Sequence, residues 1–378
     1  MVLNGTNKRH SYGTAKCGQL LYISTQNSMA KIRLKDIAQA LGLSVSTVSK
    51  ALRDSHEIGE DTKRRVLEFA HNHHYFPNRL AKGLKEGRSG TIGVIVCAID
   101  NPFVSGMLEG IDRACQEKGY QIMIMQSKES FLQEQSAIEL LLANGIDGLL
   151  ISPALETTDF SPLLAVQQRG IPVVLFDRIS DRIQTHQVGA NNFKGAYDAT
   201  MHLLNKRYKQ LAYIHAGTEL NFATQRLNGF LTALAERGIP ESNYQVAELK
   251  INAQTGVPEA LARALRKMMR GPARPDAILA GSDQISISCL SILTGMQVKI
   301  PQELALIGFS NTRLADVFNP PLSTISQPGE EIGYLAAVRL IGLLTGKAVR
   351  QEFETVLMDT QMHIRASSDR LKDLRVSS

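Results

Sequence analysis

The alternation of apolar and polar positions changes rhythm near residue 90. Residues 34–53, LKDIAQALGLSVSTVSKALR, carry apolar positions at helical spacing in two short stretches. Leu34, Ile37, Ala38 and Leu41 mark one face of a first helix. Gly42 ends it, because glycine takes the left-handed conformation at low cost. Ser44 is placed to cap a second helix. In that helix Val48, Ala51 and Leu52 point inward, and Val45, Ser46, Thr47, Ser49 and Lys50 are left outside. A third helix is predicted over 60–73. Its apolar face is Val66, Leu67, Phe69 and Ala70, with Lys63, Arg64 and Arg65 outward. Pro77 cannot continue it. Two further turns, 79–85, are too short to stand alone in water, and Gly83 weakens them. They are expected to be helical only when something holds them.

From Thr91 the period shifts. Apolar runs at 92–99, 121–125, 148–151 and 172–176 alternate with helical patterns at 102–118, 131–144 and 160–169. A second series follows, with strands at 211–215, 277–280 and 304–307 and helices at 223–237, 257–269 and 284–293. A last helix, 330–344, precedes a strand within 355–364. Continuous apolar strands alternating with helices mean parallel sheets covered on both faces. The pattern predicts two similar α/β halves, with the chain crossing between them near residues 190, 322 and 360. The expected organisation is a disordered extension (1–29), a helical domain (30–77), a short connecting helix and linker (78–90), a two-lobed α/β domain (91–370) and a tail (371–378). Met29 immediately precedes the periodic pattern and is a candidate start of translation.

Charge sharpens that division. The net charge of the 378 residues is +6. Residues 1–29 carry +3 and 30–88 carry +5, which leaves −2 for the rest. A basic head on a near-neutral body is the footprint of polyanion binding, although a merely solvated basic surface gives the same count. Trp is absent and aromatics make up 6%, so no base-stacking platform is evident. A helix with small hydroxyl residues at its start and a cation one turn later suits the DNA major groove, about 12 Å wide, and its first amides can face a phosphate. The competing reading of 34–53 is a two-helix corner in an unrelated core.

Cys17, Cys97, Cys115 and Cys289 have no paired or metal-binding spacing, which reads as buried thiols in a reducing cytoplasm. His71, His73 and His74 do not make a tidy metal site and read as surface, His74 half-buried. No apolar run approaches a membrane span, and the start has no apolar secretory core. P-loop, dinucleotide glycine, HExxH, GxSxG and CxxC patterns are all missing. No cofactor, metal or catalysis is therefore expected.

Taken together, the motifs KDIAQALGLSVSTVSKAL, GEDTKRRVLEFAHNHHYFPNRLAKGL, TIGVIV, NGIDGLLIS, GIPVVLFDR, GSDQIS, IPQELALIGFSN and PPLSTISQP, in this order, resemble the lactose/galactose repressor (LacI/GalR) family of bacterial transcription regulators. The resemblance covers about residues 30–370. It implies an all-α helix-turn-helix N-terminal domain, then a periplasmic-binding-protein-like domain of two parallel-sheet, Rossmann-like lobes. It also implies a homodimer on a pseudo-palindromic double-stranded DNA operator, controlled by a small molecule. That effector is expected to be a sugar or sugar derivative. A purine or amino acid effector, or an activating role, is the alternative. By position Val45 and Ser46 match the residues that choose bases. Lys50 matches a further base or phosphate contact where arginine is usual. Thr47, Ser49 and Asn78 match backbone contacts, and Lys82 lies in the DNA-contacting hinge. Leu84 matches an apolar wedge between central base pairs, although packing against the body would also explain it. Lobe closure on the effector would alter how the hinges meet, and a full two-state switch needs about 5.5 kcal/mol of differential affinity.

Ligands of such sheets sit outside the carboxyl ends of the strands. Asp100, Asn101 and Phe103 follow the first strand, and Asp177 and Arg178 follow the fourth. Arg226 lies early in a helix, in an RxxG that matches the family's ligand arginine. Asp283 follows 277–280, and Asn192 and Gln327 lie near crossovers. Such groups around an aromatic ring suit a polyol, whose hydroxyls both donate and accept. Asp283 could instead cap its helix, Arg226 could form a surface ion pair, and Asp177 could pair with Arg178.

Overall fold

The computed structural model describes residues 32–75, 88–216, 221–250, 256–346 and 352–369. The expected extension, the hinge with Asn78, Lys82 and Leu84, the tail and Cys17 lie outside them. The chain forms two compact units, Met1–Arg79 and Leu80–Ser378.

In the first unit α1 (Leu34–Leu41), α2 (Val45–Ala51) and α3 (Glu60–Asn72) enclose Ile37, Ala38, Val48, Ala51, Val66 and Ala70. Gly42 closes α1 at φ 65° and ψ 31°, a conformation that costs glycine little. Ser44 caps α2, its hydroxyl accepting from Thr47 N at 3.0 Å.

Three expectations for this unit are corrected. Lys63 does not face solvent. It is 8% exposed, and its ammonium reaches Asp54 Oδ1 at 2.7 Å and Glu60 Oε1 at 2.8 Å. The inward stripe of α3 runs 63–66–70, so the lysine stem is buried and its head is paired at the rim. Leu67 falls on the solvent side of that stripe and is half exposed. His74 is exposed rather than half-buried, at a left-handed φ of 49°. Its neighbour His73 stacks on Phe69, ring centroids 4.0 Å apart.

The second unit holds two six-stranded sheets. The first contains β1 (Thr91–Val96), β2 (Gln121–Gln126), β3 (Gly148–Ile151), β4 (Val173–Phe176), β5 (Gln187–Ala190) and β11 (Thr355–Met358). Their order is β11-β5-β4-β3-β1-β2, all parallel. The second contains β6 (Leu211–Ala216), β7 (Tyr244–Leu249), β8 (Ala277–Ala280), β9 (Ala305–Phe309), β10 (Ser323–Ser326) and β12 (Gln361–His363). The order β12-β10-β9-β8-β6-β7 repeats the same winding, with only β12 antiparallel. Central strands such as GLLI, VVLF and AILA are buried throughout, while the edge strand β2 is partly exposed.

The covering helices are α4 (Pro102–Glu117), α5 (Phe131–Ala143), α6 (Ser161–Gln168), α7 (Asn192–Asn205), α8 (Asn221–Glu236), α9 (Val257–Arg270), α10 (Asp283–Gly295) and α11 (Gly329–Leu344). The chain crosses between sheets after Ala190, after Ser326 and after Met358. Helix α7 and strand β7 are additions to the elements read from the sequence, and β5 and β10 lie at the expected crossovers. The expected strand within 355–364 is two strands, one in each sheet. Among the described residues no helix is long and apolar enough to cross a membrane.

Candidate functional site

Two regions gather the residues singled out in the sequence. The first is α2. Val45 is 47% exposed and Ser46 is exposed beside it, whereas Thr47, Ser49 and Lys50 are half-buried. The Thr47 hydroxyl lies 2.8 Å from Ser44 Oγ, inside the helix cap. Ser49 lends its carbonyl to Arg53 Nε at 3.1 Å. The Lys50 ammonium is paired with Glu57, in the turn before α3. The two side chains that stand free are therefore the first two of the helix.

The second region is a cleft at the carboxyl ends of both sheets, enclosing about 610 Å³ including its open mouth. From the first sheet come Asn101 and Phe103 after β1 and Asp177 and Arg178 after β4. From the second come Arg226 of α8, Asp283 after β8 and Gln327 after β10. The structure brings these seven together. Asp100 is exposed and does not line the cleft, because the loop turns there to let Asn101 cap α4. The Asn101 side chain accepts from Phe103 N at 2.8 Å. Asn192 is 2% exposed and stands behind the cleft, its Oδ1 accepting from Arg226 Nε at 2.8 Å.

Each charged group has a definite environment. Asp177 sits at φ 63°, a strained setting for a residue with a Cβ and of a kind that concentrates at binding sites. It accepts from Ser152 Oγ at 3.1 Å. Burial pushes its carboxyl up despite the nearby Arg178 and Arg226. The alternative pairing of Arg178 with Asp177 is loose, at 3.8 Å. The stronger partner is Glu129, which takes Nη1 at 2.6 Å and Nη2 at 2.7 Å. Burial works against the Arg178 cation, but the hydrogen bonds and charge of Glu129, with Asp177, outweigh it and hold the guanidinium above its usual value.

Arg226 is also buried, at 5% exposure, and is not a surface ion pair. Its Nη1 donates to Gly281 O at 2.7 Å. Its guanidinium lies 3.8 Å from the Phe309 ring centroid and 5.2 Å from that of Phe222. Burial lowers its pKa to about 10. Gly229, three residues on, explains the RxxG spacing. A Cβ there would collide with Phe193 O, so glycine lets α8 close on α7 and bring Arg226 to Asn192. Asp283 does not cap α10. Ser282 does, accepting from Ile285 N, and Asp283 instead accepts from Ser310 Oγ. Burial raises the Asp283 carboxyl above its usual range.

Phe222, Phe309, Ser310, Asn311, Ser282, Val104 and Cys97 line the cleft without having been singled out, and Glu129 stands behind it. The motif IPQELALIGFSN held Phe309, Ser310 and Asn311 in plain view at a strand end. Asn311 is tied to Gln327 by two bonds, Nδ2 to O at 2.7 Å and Oδ1 from N at 3.0 Å. Cys97 is a free thiol, and burial raises its pKa to about 11. Cys115 and Cys289 are buried free thiols as well. Among the described residues no group of His, Cys, Asp or Glu could hold a metal ion.

Comparison with known proteins fits this geometry. Residues 33–78 match the family model for bacterial regulatory proteins of the lacI family, and residues 200–368 match that for a periplasmic binding protein-like domain. The ribose operon repressor of Escherichia coli (strain K12) is 30% identical over 328 residues, covering 84% of this chain and 95% of that protein. The transcriptional repressor CytR of the same strain is 30% identical over 335 residues, covering 89% and 96%. A solved lac repressor dimer, bound to operator and an anti-inducer, superposes with a TM-score of 0.75 at 20% identity, covering 89% of this chain and 99% of that one. The chain belongs to the LacI family of bacterial regulatory proteins.

Proposed function

We propose that this chain is a cytoplasmic, ligand-responsive transcriptional repressor without catalytic activity. Two copies bind a pseudo-palindromic operator through α2, and a small carbohydrate in the cleft sets the operator affinity. The observation that carries the ligand reading is the pair of guanidiniums, one from each sheet, on a single ring. Arg178 lies 5.6 Å and Arg226 5.2 Å from the Phe222 centroid. A compound seated there touches both lobes, so it favours whichever lobe arrangement fits it best. The surrounding carboxyls, amides and phenyl rings match a polyol with one apolar face. The names of relatives support the same reading. One is a ribose operon repressor, and among the solved neighbours one holds cellobiose and another ribose.

Operator selection with the purified protein, followed by anisotropy titrations with ribose, glucose, galactose, cellobiose, adenine and cytidine, tests this. One sugar should change operator affinity at least tenfold. A response to adenine or cytidine alone would replace the effector class. Failure to enrich any palindromic DNA would end the regulator reading.

A further inference from the structure

We propose that Glu129 sets the charge specificity of the cleft: by clamping Arg178 it restricts the effector to an uncharged polyhydroxy compound and excludes phosphorylated and acidic derivatives. This rests on the carbohydrate reading above. An arginine in a ligand cleft would ordinarily suggest a phosphate or carboxylate, which its planar fork grips at two points. Here both amino groups of the fork are already taken by Glu129, and Nη1 donates to Pro153 O at 2.8 Å as well. The second Nη2 hydrogen and Nε remain, and that edge already faces a negative charge, with the Asp177 carboxylate 3.8 Å from Nε.

The clamp is built into the backbone. Lys128 and Glu129 are consecutive left-handed residues at φ 48° and 64°, and neither is glycine. Such positions are strained and persist only where surrounding bonds determine them. Those bonds are present. Ser127 N and Lys128 N each donate at 2.9 Å, to Val96 O and Cys97 O. Glu129 Oε2 accepts from Leu155 N at 2.9 Å. The turn thus carries Glu129 from the β2–α5 connection to the back of a cleft formed by other strands.

The remaining charges point the same way. Arg226 has spent Nε and one Nη1 hydrogen on Asn192 and Gly281, and Phe309 and Phe222 cover its planar face. Asp177 and Asp283 line the cleft as acceptors. A neighbouring cleft shares Asn311 and Gln327 with it, and Glu109, Glu330, Glu331 and Asp359 line that space against one cation, Arg313. Glu330 is also paired with Arg113. An acidic approach of this kind lowers the local concentration of anions. Hydroxyl groups, which donate as well as accept, suit acceptor carboxylates beside a single free guanidinium edge.

Calorimetric titration of the full chain with matched probes tests this. The probes are ribose and ribose 5-phosphate, galactose and galactose 6-phosphate, and glucose with glucose 6-phosphate and glucuronate. At least one neutral sugar should bind, and its charged derivatives should bind at least tenfold more weakly. In Glu129→Gln that ratio should narrow by tenfold or more, because Arg178 regains a free edge and the cleft loses a negative charge. If Glu129→Gln folds poorly by circular dichroism, Glu129→Asp serves, since the shorter side chain cannot span both amino groups. A charged probe that binds the wild type more tightly than its neutral parent overturns the proposal alone. So does a ratio unchanged in a folded variant. Silence across all probes overturns the carbohydrate reading and this proposal with it.

Discussion

Arg226 Nε donates to Asn192 Oδ1 at 2.8 Å, joining α8 to the first turn of α7 with both residues almost fully buried. The asparagine touches no cleft surface, yet it decides which edge of the guanidinium faces the ligand. A hydrogen bond to a charged group contributes about 1.5–3 kcal/mol. Asn192→Leu should therefore raise the effector concentration for half-maximal operator response roughly ten- to a hundredfold. Asn192→Asp keeps the acceptor and should restore most of the response. Equal loss in both variants would mean that the site serves folding rather than orientation.

Gly229 holds the same two helices together. Because a Cβ there meets the Phe193 carbonyl, Gly229→Ala must push α8 off α7 by several tenths of an ångström. Overpacking of this kind costs about 1–3 kcal/mol, read as a lower thermal midpoint. The displacement also carries Arg226 away from Asn192. The effector response should accordingly fall further than in a variant of equal stability loss elsewhere in the second lobe.

The Asp283 carboxyl gives a pH dependence of definite sign. Burial raises its folded-state pKa, with Ser310 opposing. The folded state therefore holds this proton more tightly than the unfolded one, and stability contributed by the site falls as pH rises through the folded pKa. Asp283→Asn should raise the thermal midpoint of the ligand-free protein at neutral pH, and the gain should vanish on acidification. Ligand binding runs the other way, because protonation removes an acceptor. Effector affinity should decline already above pH of about 4, where ordinary aspartates still stay ionised. Asp177, raised by its own burial, adds to the same trend. An affinity flat down to pH of about 4 would show that neither carboxylate accepts from the ligand.

The residues that local rules govern were readable in advance. Gly42 and Ser44 mark a helix stop and start by backbone conformation and capping alone, so α1 and α2 appear within one or two residues of their expected limits. The uniformly apolar central strands were equally plain. What failed depends on which side chains and turns meet once the chain is folded. Lys63 looks like a surface cation until Asp54 and Glu60 are placed around it. Glu129 carries no local signal, because its role comes from Arg178, 49 positions on. Asp100 is one residue from the cleft, but the cap made by Asn101 turns it outward. Helix α7 was missed because NFKGAYDATMHLLN mixes small, polar and apolar residues, and it packs closely on Gly229 of α8 through Phe193, Ala196 and Tyr197. Phe222 and Phe309 read as ordinary core until the two lobes face each other.

The two free positions at the start of α2 lead to the last prediction. Val45 and Ser46 are exposed, while Thr47 is held by the cap and Lys50 by Glu57. Sequence choice should therefore reside in Val45 and Ser46, and Lys50 should act mainly through charge. Replacing Val45 or Ser46 should change the preferred base at one or two symmetric operator positions, with about 1–3 kcal/mol lost on the original sequence. Lys50→Ala should instead weaken all sequences alike and flatten the salt dependence by about one ion per subunit. Glu57→Gln should do the opposite, since it frees the ammonium and removes an anion near the phosphates. Ser44→Ala, which strips the cap from a helix of only seven residues, should cost about 1 kcal/mol and weaken binding without altering preference. Selection from a randomised operator library at two salt concentrations separates these outcomes. A Val45 and Ser46 double variant that returned the unaltered motif would move base recognition off this helix.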